Sequence, residues 1–330
     1  MSNFTSFFTE SAETGWAWKG MRMIKVVITA NNVSEVDIAA VKMLTDAGFE
    51  VEEYADAAQY PEDELITLLK DADAVIAGGE KYSKEIIDRM PKLKMIARRG
   101  VGIDNIDQET VKARKIEVSR TVGCVGDAVA ELVMAYILEY ARKLSAHNTD
   151  MKNGLWSQNI GSGLTGKTLG IIGFGSIGRA TAVRADAFGM RVLCWHRHSE
   201  PDIEKKYHAE YADFDAILKE SDYISVSVPL AGDTRNMFCK TVFDRMKPNA
   251  VLINTARGPV VNAADLEAAL REKKIGGACI DVFDQEPCED SPLKSFDNVI
   301  LTPHIGTFTR ETFTAMNNYC AKAIIEFFNK

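Results

Sequence analysis

Arg257, Glu286 and His304 are the residues of this chain best suited to carry a reaction. A guanidinium is a permanent cation that grips a carboxylate with two parallel hydrogen bonds. An imidazole titrates near neutrality, so His304 can donate a proton in one direction and recover it in the other. A carboxylate beside the ring orients it and favours its protonated form, the part Glu286 would play. Together they supply a cation for an acidic substrate and an acid for a developing alkoxide, as reduction of a 2-keto acid requires. Each residue alone would ordinarily be a surface or structural group. His147, His196, His198 and His208 stand in no comparable motif, which leaves His304 as the acid/base.

Reduction also needs a hydride donor, and a glycine loop provides for one. The run Gly173, Phe174, Gly175, Ser176, Ile177, Gly178 follows the apolar stretch Leu169 to Ile172 and opens a helical pattern. In a strand–loop–helix setting the first glycine permits a tight turn and the second lets the backbone approach a pyrophosphate. The third allows close helix–strand packing, and the helix N-terminus faces the phosphates. A nicotinamide dinucleotide is therefore expected. The residue that meets the adenosine ribose lies about 20 positions further on and is acidic where NAD is preferred. Here the positions are His196 and Arg197, with no carboxylate before Glu200. Arg197 could pair with a 2′-phosphate, so NADP is the expected preference and NAD remains possible.

These residues need rigid elements to hold them. Two blocks of alternating strand and helix signals are present, which predicts an α/β chain with parallel sheets covered on both faces. In the first block, strands are expected at Ile24 to Thr29, Glu50 to Tyr54, Ala74 to Ala77 and Met95 to Ala97. Helices are expected at Ser34 to Ala47, Glu62 to Leu69 and Ser83 to Met90. One long helix, Asp127 to His147, links the blocks. In the second block, strands are expected at Thr168 to Ile172, Arg191 to Trp195, Tyr223 to Val228, Val251 to Ile253, Ala278 to Ile280 and Val299 to Leu301. Helices are expected at Ser176 to Phe188, Asn262 to Glu272 and Thr309 to Phe328.

At 330 residues the chain is long enough for two domains. Its 39 basic against 47 acidic residues leave a formal charge of −8, so it carries no basic footprint for nucleic acid or anionic lipid. No apolar run approaches the roughly 20 residues that span a bilayer. The six cysteines, 124, 194, 239, 279, 288 and 320, form no CxxC pair, so neither a metal site nor a disulfide framework is expected. Reduced thiols and a cytoplasmic location follow. The first 20 residues mix Phe4, Phe7, Phe8, Trp16 and Trp18 with Ser, Thr and Glu, and read as a poorly ordered tail without a secretory pattern.

Three further segments complete a pattern: Asn254 to Asn262, Asp281 to Pro287 and Leu301 to Gly306. With the glycine loop and the segment Gly100, Val101, Gly102, Ile103, Asp104, Asn105, Ile106, Asp107, they closely resemble the D-isomer-specific 2-hydroxyacid dehydrogenases, from residue 24 to 330. That family includes phosphoglycerate dehydrogenases and glyoxylate/hydroxypyruvate reductases. The resemblance implies two doubly wound, Rossmann/flavodoxin-like domains with the active site between them. Residues 21–122 plus 303–330 would form the substrate-binding domain and 123–302 the dinucleotide-binding domain. It assigns catalysis to Arg257, Glu286 and His304. It places Val228, Pro229, Thr255, Ala256, Arg257, Asp281, His304 and Gly306 near the cofactor, beside Gly173, Gly175, Ser176, Ile177, Gly178, His196 and Arg197. It puts the backbone of Val101 and Gly102, with Arg98, Arg257 and His304, on the substrate. It also implies a homodimer joined mainly through the long helix from Asp127.

The chain departs from the family at Thr121 to Ala128, where Val122, Val125 and Gly126 stand for the usual Pro, Asn and Ser. No role is carried over to Val125 or Gly126. The sequence stops after the last helix, so serine feedback through an added regulatory domain is not expected. Candidate substrates are 3-phosphoglycerate, with Arg98 and Arg99 receiving the phosphate, then hydroxypyruvate and glyoxylate. The alternatives are a dehydrogenase-like corepressor that senses the dinucleotide, and a formate- or phosphite-type dehydrogenase.

Overall fold

The computed structural model describes residues 22–54 and 57–330. The expected N-terminal tail, 1–20, lies outside the described residues.

The first sheet contains β1 (Lys25–Ile28), β2 (Glu50–Glu53), β3 (Ala74–Ala77), β4 (Met95–Arg98) and β5 (Glu117–Arg120) in the order β2-β1-β3-β4-β5. Every pairing in it is parallel. Between the strands run α1 (Val33–Val36), α2 (Ala39–Asp46), α3 (Glu62–Leu69), α4 (Lys84–Asp88) and α5 (Gln108–Ala113). The second sheet contains β6 (Thr168–Ile172), β7 (Arg191–Trp195), β8 (Glu210–Tyr211), β9 (Tyr223–Val226), β10 (Val251–Asn254), β11 (Gly277–Ile280) and β12 (Val299–Leu301). Its order is β12-β11-β10-β9-β6-β7-β8, again all parallel. Two helices, α6 (Gly126–Arg142) and α7 (Leu144–Lys152), join the sheets. The rest are α8 (Ser176–Ala187), α9 (Pro201–Lys206), α10 (Phe214–Glu220), α11 (Lys240–Phe243), α12 (Ala263–Arg271) and α13 (Arg310–Phe328).

Both sheets are buried on both faces, so their central strands are apolar runs: β3, β9, β10 and β11 are buried at every position. The chain leaves the second sheet at β12, and α13 returns to the first. There Cys320, Ala321 and Ile324 are buried against Val26, Ile28, Ala74 and Ile76. Burying an aliphatic side chain such as Ile324 contributes about 1.5–3 kcal/mol, which holds the last helix on the first sheet.

Two expected helices are broken in ways that local chemistry explains. Asp37 is extended and its carboxylate accepts the Ala39 N–H at 2.9 Å, so the segment expected as Ser34 to Ala47 becomes α1 and α2. The expected helix Asp127 to His147 ends at Arg142. Lys143 is left-handed at φ 53°, and Glu139 accepts the Ser145 N–H at 2.9 Å, which starts α7 on a new course.

Candidate active site

In each sheet the strand order reverses at one point, between β1 and β3 and between β6 and β9. Loops at the carboxyl ends of strands diverge there and leave a crevice for ligands. The glycine loop lies at the second reversal. Gly173 has φ 100°, and a Cβ on it would lie 2.7 Å from the Ser227 carbonyl and 2.9 Å from the Val228 nitrogen. Only glycine fits. A Cβ on Gly175 would meet nothing within 4 Å, so this stretch of backbone faces open space. A Cβ on Gly178 would overlap the Gly173 carbonyl. Helix α8 starts at Ser176 with Gly175 at its N-cap and no side chain on its first N–H groups. An uncapped twelve-residue helix behind a bare backbone suits a pyrophosphate.

Gly126 and Val125, two of the unusual residues between Thr121 and Ala128, sit in close packing. A Cβ on Gly126 would lie 3.2 Å from the Ser176 carbonyl oxygen, because α6 and α8 meet backbone to backbone. Val125 is buried with Val129, Phe313 and Met316, and Ile177 packs on the same cluster.

The other cofactor candidates line the same crevice in different states. Val228 is buried and Pro229 exposed just beyond β9. Beyond β10, Asn254 accepts the Ala256 N–H at 3.1 Å and donates to the Arg257 carbonyl at 3.0 Å, which shapes the loop. Thr255 and Ala256 are buried, and the Thr255 Oγ1 has no partner among the described residues. An orphaned hydroxyl here fits a ligand that would receive its hydrogen bond.

The two residues after β7 behave differently from each other. The imidazole of His196 turns inward, where Nε2–H donates to Glu204 at 2.9 Å. Its ring also lies near those of Phe174 and Tyr211. Ser199 and the Glu200 N–H donate to the same buried carboxylate. His196 is therefore committed to the protein interior. Arg197 is exposed and pairs with Asp233 at 2.7 Å. Glu204 lies eight residues beyond His196, on α9, and only the fold brings the two together.

His304 and Glu286 come together from two loops. His304 Nδ1–H donates to Glu286 Oε2 at 2.7 Å, and the other Glu286 oxygen accepts the Phe283 N–H at 2.9 Å. Burial pushes the Glu286 carboxyl upward. The hydrogen bond and charge of His304, the Phe283 N–H and the charge of Arg257 outweigh it, so the group lies below the usual carboxylate range. His304 itself is left-handed at φ 54°, a conformation that costs about 1–3 kcal/mol at a non-glycine residue. Asp281 holds that turn. Its buried carboxylate accepts the Ile305 N–H at 2.8 Å, the Gly306 N–H at 2.9 Å and the Thr302 hydroxyl at 2.5 Å. Tyr136 adds a hydroxyl contact to Thr302 from α6. Asp281 thus shapes the turn that carries His304 and Gly306.

Arg257 reaches across to the first sheet. Its Nε donates to both oxygens of Asp104, at 3.1 and 3.3 Å, and Nη1 donates to the Ala256 carbonyl at 2.8 Å. A Cβ on Gly102 would overlap the Arg257 Nη2, so the Val101–Gly102 backbone and the guanidinium touch. Arg98 is half-buried and its Nη1 donates to the Arg99 carbonyl. Arg99 turns away to α13: its guanidinium lies over the Phe313 ring at 4.5 Å and reaches Asn317 Oδ1 at 3.4 Å. Burial pulls Arg99 down to about 10. Asp104 was not among the residues expected at the site; the signal in the sequence is a carboxylate two residues after Gly102.

A separate cavity lies behind the Glu286 loop, bounded by Asn254, Val282, Phe283, Pro287 and Cys288. It is lined mainly by apolar groups.

Comparison with known proteins gives the family. Residues 134–306 match the family model for the NAD binding domain of D-isomer specific 2-hydroxyacid dehydrogenases. A glyoxylate reductase of Thermococcus litoralis is 41% identical over 289 residues, 84% of this chain and 87% of that protein. A D-3-phosphoglycerate dehydrogenase of Methanocaldococcus jannaschii is 36% identical over 92% of this chain, which spans 57% of that protein. The D-lactate dehydrogenase of Aquifex aeolicus, solved with NAD and lactic acid, superimposes with a TM-score of 0.80 at 32% identity, covering 92% of this chain and 95% of that one. The chain belongs to the D-isomer-specific 2-hydroxyacid dehydrogenase family, nicotinamide-dependent oxidoreductases that act on CH–OH groups.

Proposed function

We propose that the protein reduces a small 2-keto acid to its D-2-hydroxy acid, with Arg257, Glu286 and His304 as the catalytic residues. The observation that carries this is the 2.7 Å bond from His304 Nδ1 to Glu286, which leaves Nε2 as the proton-bearing atom for the substrate oxygen. A nicotinamide dinucleotide bound at the glycine loop supplies the hydride. Arg257 and the Val101–Gly102 backbone hold the substrate carboxylate, while Arg98 flanks it. His304 protonates the oxygen as negative charge develops on it, and Glu286 stabilises the imidazolium before and orients the ring after transfer.

Glyoxylate and hydroxypyruvate rank ahead of 3-phosphoglycerate in this reading, because Arg99 is engaged with Phe313 and Asn317 and leaves Arg98 as the lone arginine of the pair at the cleft. Relatives named glyoxylate reductase support the same order. Assay of a panel of 2-keto acids with NADPH and NADH tests the reading. Turnover of none of them would favour the sensing role of a corepressor.

NADP is the preferred cofactor in this proposal. Arg197 is exposed after β7, its partner Asp233 is exposed as well, and the buried carboxylate of Glu204 is taken up by His196. Arg197→Ala should cut kcat/KM for NADPH by about tenfold or more, the worth of one charge-assisted phosphate contact, and leave NADH nearly unchanged. A tenfold preference of the wild type for NADH would refute it.

Residues 21–122 with 303–330, and 123–302, are proposed as the two domains, and closure between them would exclude water. A homodimer is also proposed. Its support is an exposed apolar set on α7 and the segment after it: Leu144, Met151, Leu155, Trp156 at 79% exposure and Ile160 at 93%. Sedimentation of Ile160→Glu should report a monomer. Six unpaired cysteines support a reducing, cytoplasmic setting.

A further inference from the structure

Cys194, His196 and Glu204 bring three different metal-ligating groups to one point. Cys194 is the fourth residue of β7 and His196 follows the strand directly. Residues two apart along an extended chain face the same side, so the thiol and the imidazole share a face. Glu204 comes to them from α9. The Cys194 Sγ, a His196 ring nitrogen and a Glu204 oxygen all lie within 4.8 Å of one another. Among the described residues no other three His, Cys, Asp or Glu side chains converge so closely. No CxxC or comparable spacing announces the set in the sequence, because its third member arrives through the fold.

The cluster is enclosed. Cys194 is fully buried, Glu204 nearly so, and the His196 side chain keeps 14% exposure. The rings of Phe174 and Tyr211 lie beside the imidazole. Cys194 is in no disulfide. Glu204 is already aimed: its Oε1 accepts from His196 Nε2 at 2.9 Å, the Ser199 hydroxyl at 2.9 Å and the Glu200 N–H at 2.8 Å. Outer partners of this kind orient a carboxylate ligand. The cations around the cluster are engaged elsewhere. Arg179 lies over the Phe174 and Tyr207 rings and faces Glu200 at 3.6 Å, and Lys206 lies over the Tyr207 ring. Lys205 is exposed, and Arg197 pairs with Asp233.

We propose that Cys194, His196 and Glu204 form a binding site for a divalent transition ion, zinc first, at the end of β7. Thiolate, imidazole and carboxylate are the ligand types that zinc takes, whereas calcium and magnesium call for oxygen alone. Bonds of about 2.0 to 2.3 Å to a tetrahedral ion set its ligand atoms about 3.3 to 3.8 Å apart, so movements of about 1 Å close the set. On binding, the Cys194 thiol gives its proton to solvent and the His196 ring proton resides on Nδ1, which frees the Nε2 lone pair. One thiolate and one carboxylate then balance the two positive charges, and no net charge is buried. The fourth position falls to water, beside the Ser199 hydroxyl. The ion would tie β7 to α9 beneath residues 196–200, the stretch that carries Arg197, so its role is structural. The inference is independent of the 2-keto acid reading.

The test uses the full chain, freed of metal by dialysis against a chelator and titrated with Co2+, whose bond to a thiolate absorbs in the near ultraviolet. The wild type should develop that band with one equivalent of Co2+, and added Zn2+ should abolish it. Cys194→Ser should show no band. His196→Asn and Glu204→Gln keep the thiol and should weaken Co2+ binding by about tenfold or more, at least what the loss of an outer partner costs. They keep the proposal open to refutation if Cys194→Ser does not fold. Cys239→Ser and Cys288→Ser, outside the cluster, should titrate like the wild type. Absence of the band in the wild type overturns the proposal and leaves His196 and Glu204 as a hydrogen-bonded pair only. A band that survives Cys194→Ser, or that vanishes in Cys239→Ser or Cys288→Ser, overturns it as well. So does an affinity that neither His196→Asn nor Glu204→Gln alters.

Discussion

A single methyl group at Gly102 should disable the enzyme without unfolding it. An alanine Cβ there would lie 2.8 Å from the Arg257 Cζ and 2.6 Å from Asp104 Oδ1, and would overlap Nη2. Carbon contacts settle at about 3.5–4.0 Å and Nη2 lies closer than Cζ, so the guanidinium must retreat by at least about 1 Å. The obstructing atoms are the ends of two side chains, and Gly102 is absent from the glycines with positive φ, so the backbone itself can accept alanine. Stability should fall by less than about 1 kcal/mol, the range for a change that strains no core packing. The cation, however, would sit about 1 Å from its place, and such a misplacement of a positioning group costs about 100-fold, or about 2.7 kcal/mol of barrier. The assay is kcat/KM for glyoxylate with NADPH, beside a thermal melt and an NADPH binding titration. Reduction should drop about 100-fold while the melt and the titration stay near wild type. Activity within threefold of wild type in a folded Gly102→Ala protein would refute the idea that this contact sets the position of Arg257. A cooperative loss of structure would refute the claim that the clash is confined to side chains.

Gly173→Ala meets backbone at 2.7 and 2.9 Å from a φ of 100°, so nothing can yield. It should abolish dinucleotide binding by fluorescence titration and lower stability by about 2 kcal/mol or more. Asp281→Ala removes the acceptor of two N–H groups and a hydroxyl beneath His304. Chemical denaturation should show a loss of about 2–4 kcal/mol, and kcat should fall with it; unchanged values for both would deny Asp281 its role in the turn. Glu286 lies below the ordinary carboxylate range, so its bond stabilises the fold above that range and is lost as pH falls through the lowered value. Because both partners are partly exposed, the stability gap between wild type and Glu286→Gln should be no more than about 1 kcal/mol near pH 6 and close to zero below the acid transition. A gap that grows toward acid pH would contradict the sign.

Much of the fold could be read from the order of residues, because its strands are buried on both faces. Runs such as Arg191 to Trp195 and Val299 to Leu301 are apolar enough to mark their own ends, and both were expected with the bounds that the structure has. The residues proposed as catalytic stand out in the sequence for another reason: each lies in a short motif that follows a strand. Features that depend on meetings across the fold were hidden. Lys143 breaks the linking helix through a left-handed turn that its neighbours in sequence do not announce. His196 turns inward because Glu204 arrives from α9. Arg99 leaves the cleft because Phe313 and Asn317 come back from the far end of the chain. Short elements such as α5 and β5 were missed as well. Their apolar positions are too few to show a period, and α5 relies on Asp107, which accepts the Thr110 N–H at 2.8 Å.

The central claim is that His304 and a nicotinamide dinucleotide together reduce C2 of a 2-keto acid. The most direct measurement follows the hydrogen itself. NADPH deuterated on one face of C4 and then on the other is mixed with hydroxypyruvate, and the product is examined by mass spectrometry and chiral separation. The account predicts that one of the two labelled cofactors delivers one deuterium to C2 of D-glycerate, and that His304→Asn, still binding NADPH, forms at least about 100-fold less product. Oxidation of NADPH without deuterium at C2 would contradict it, as would L-glycerate or a His304→Asn enzyme with undiminished turnover.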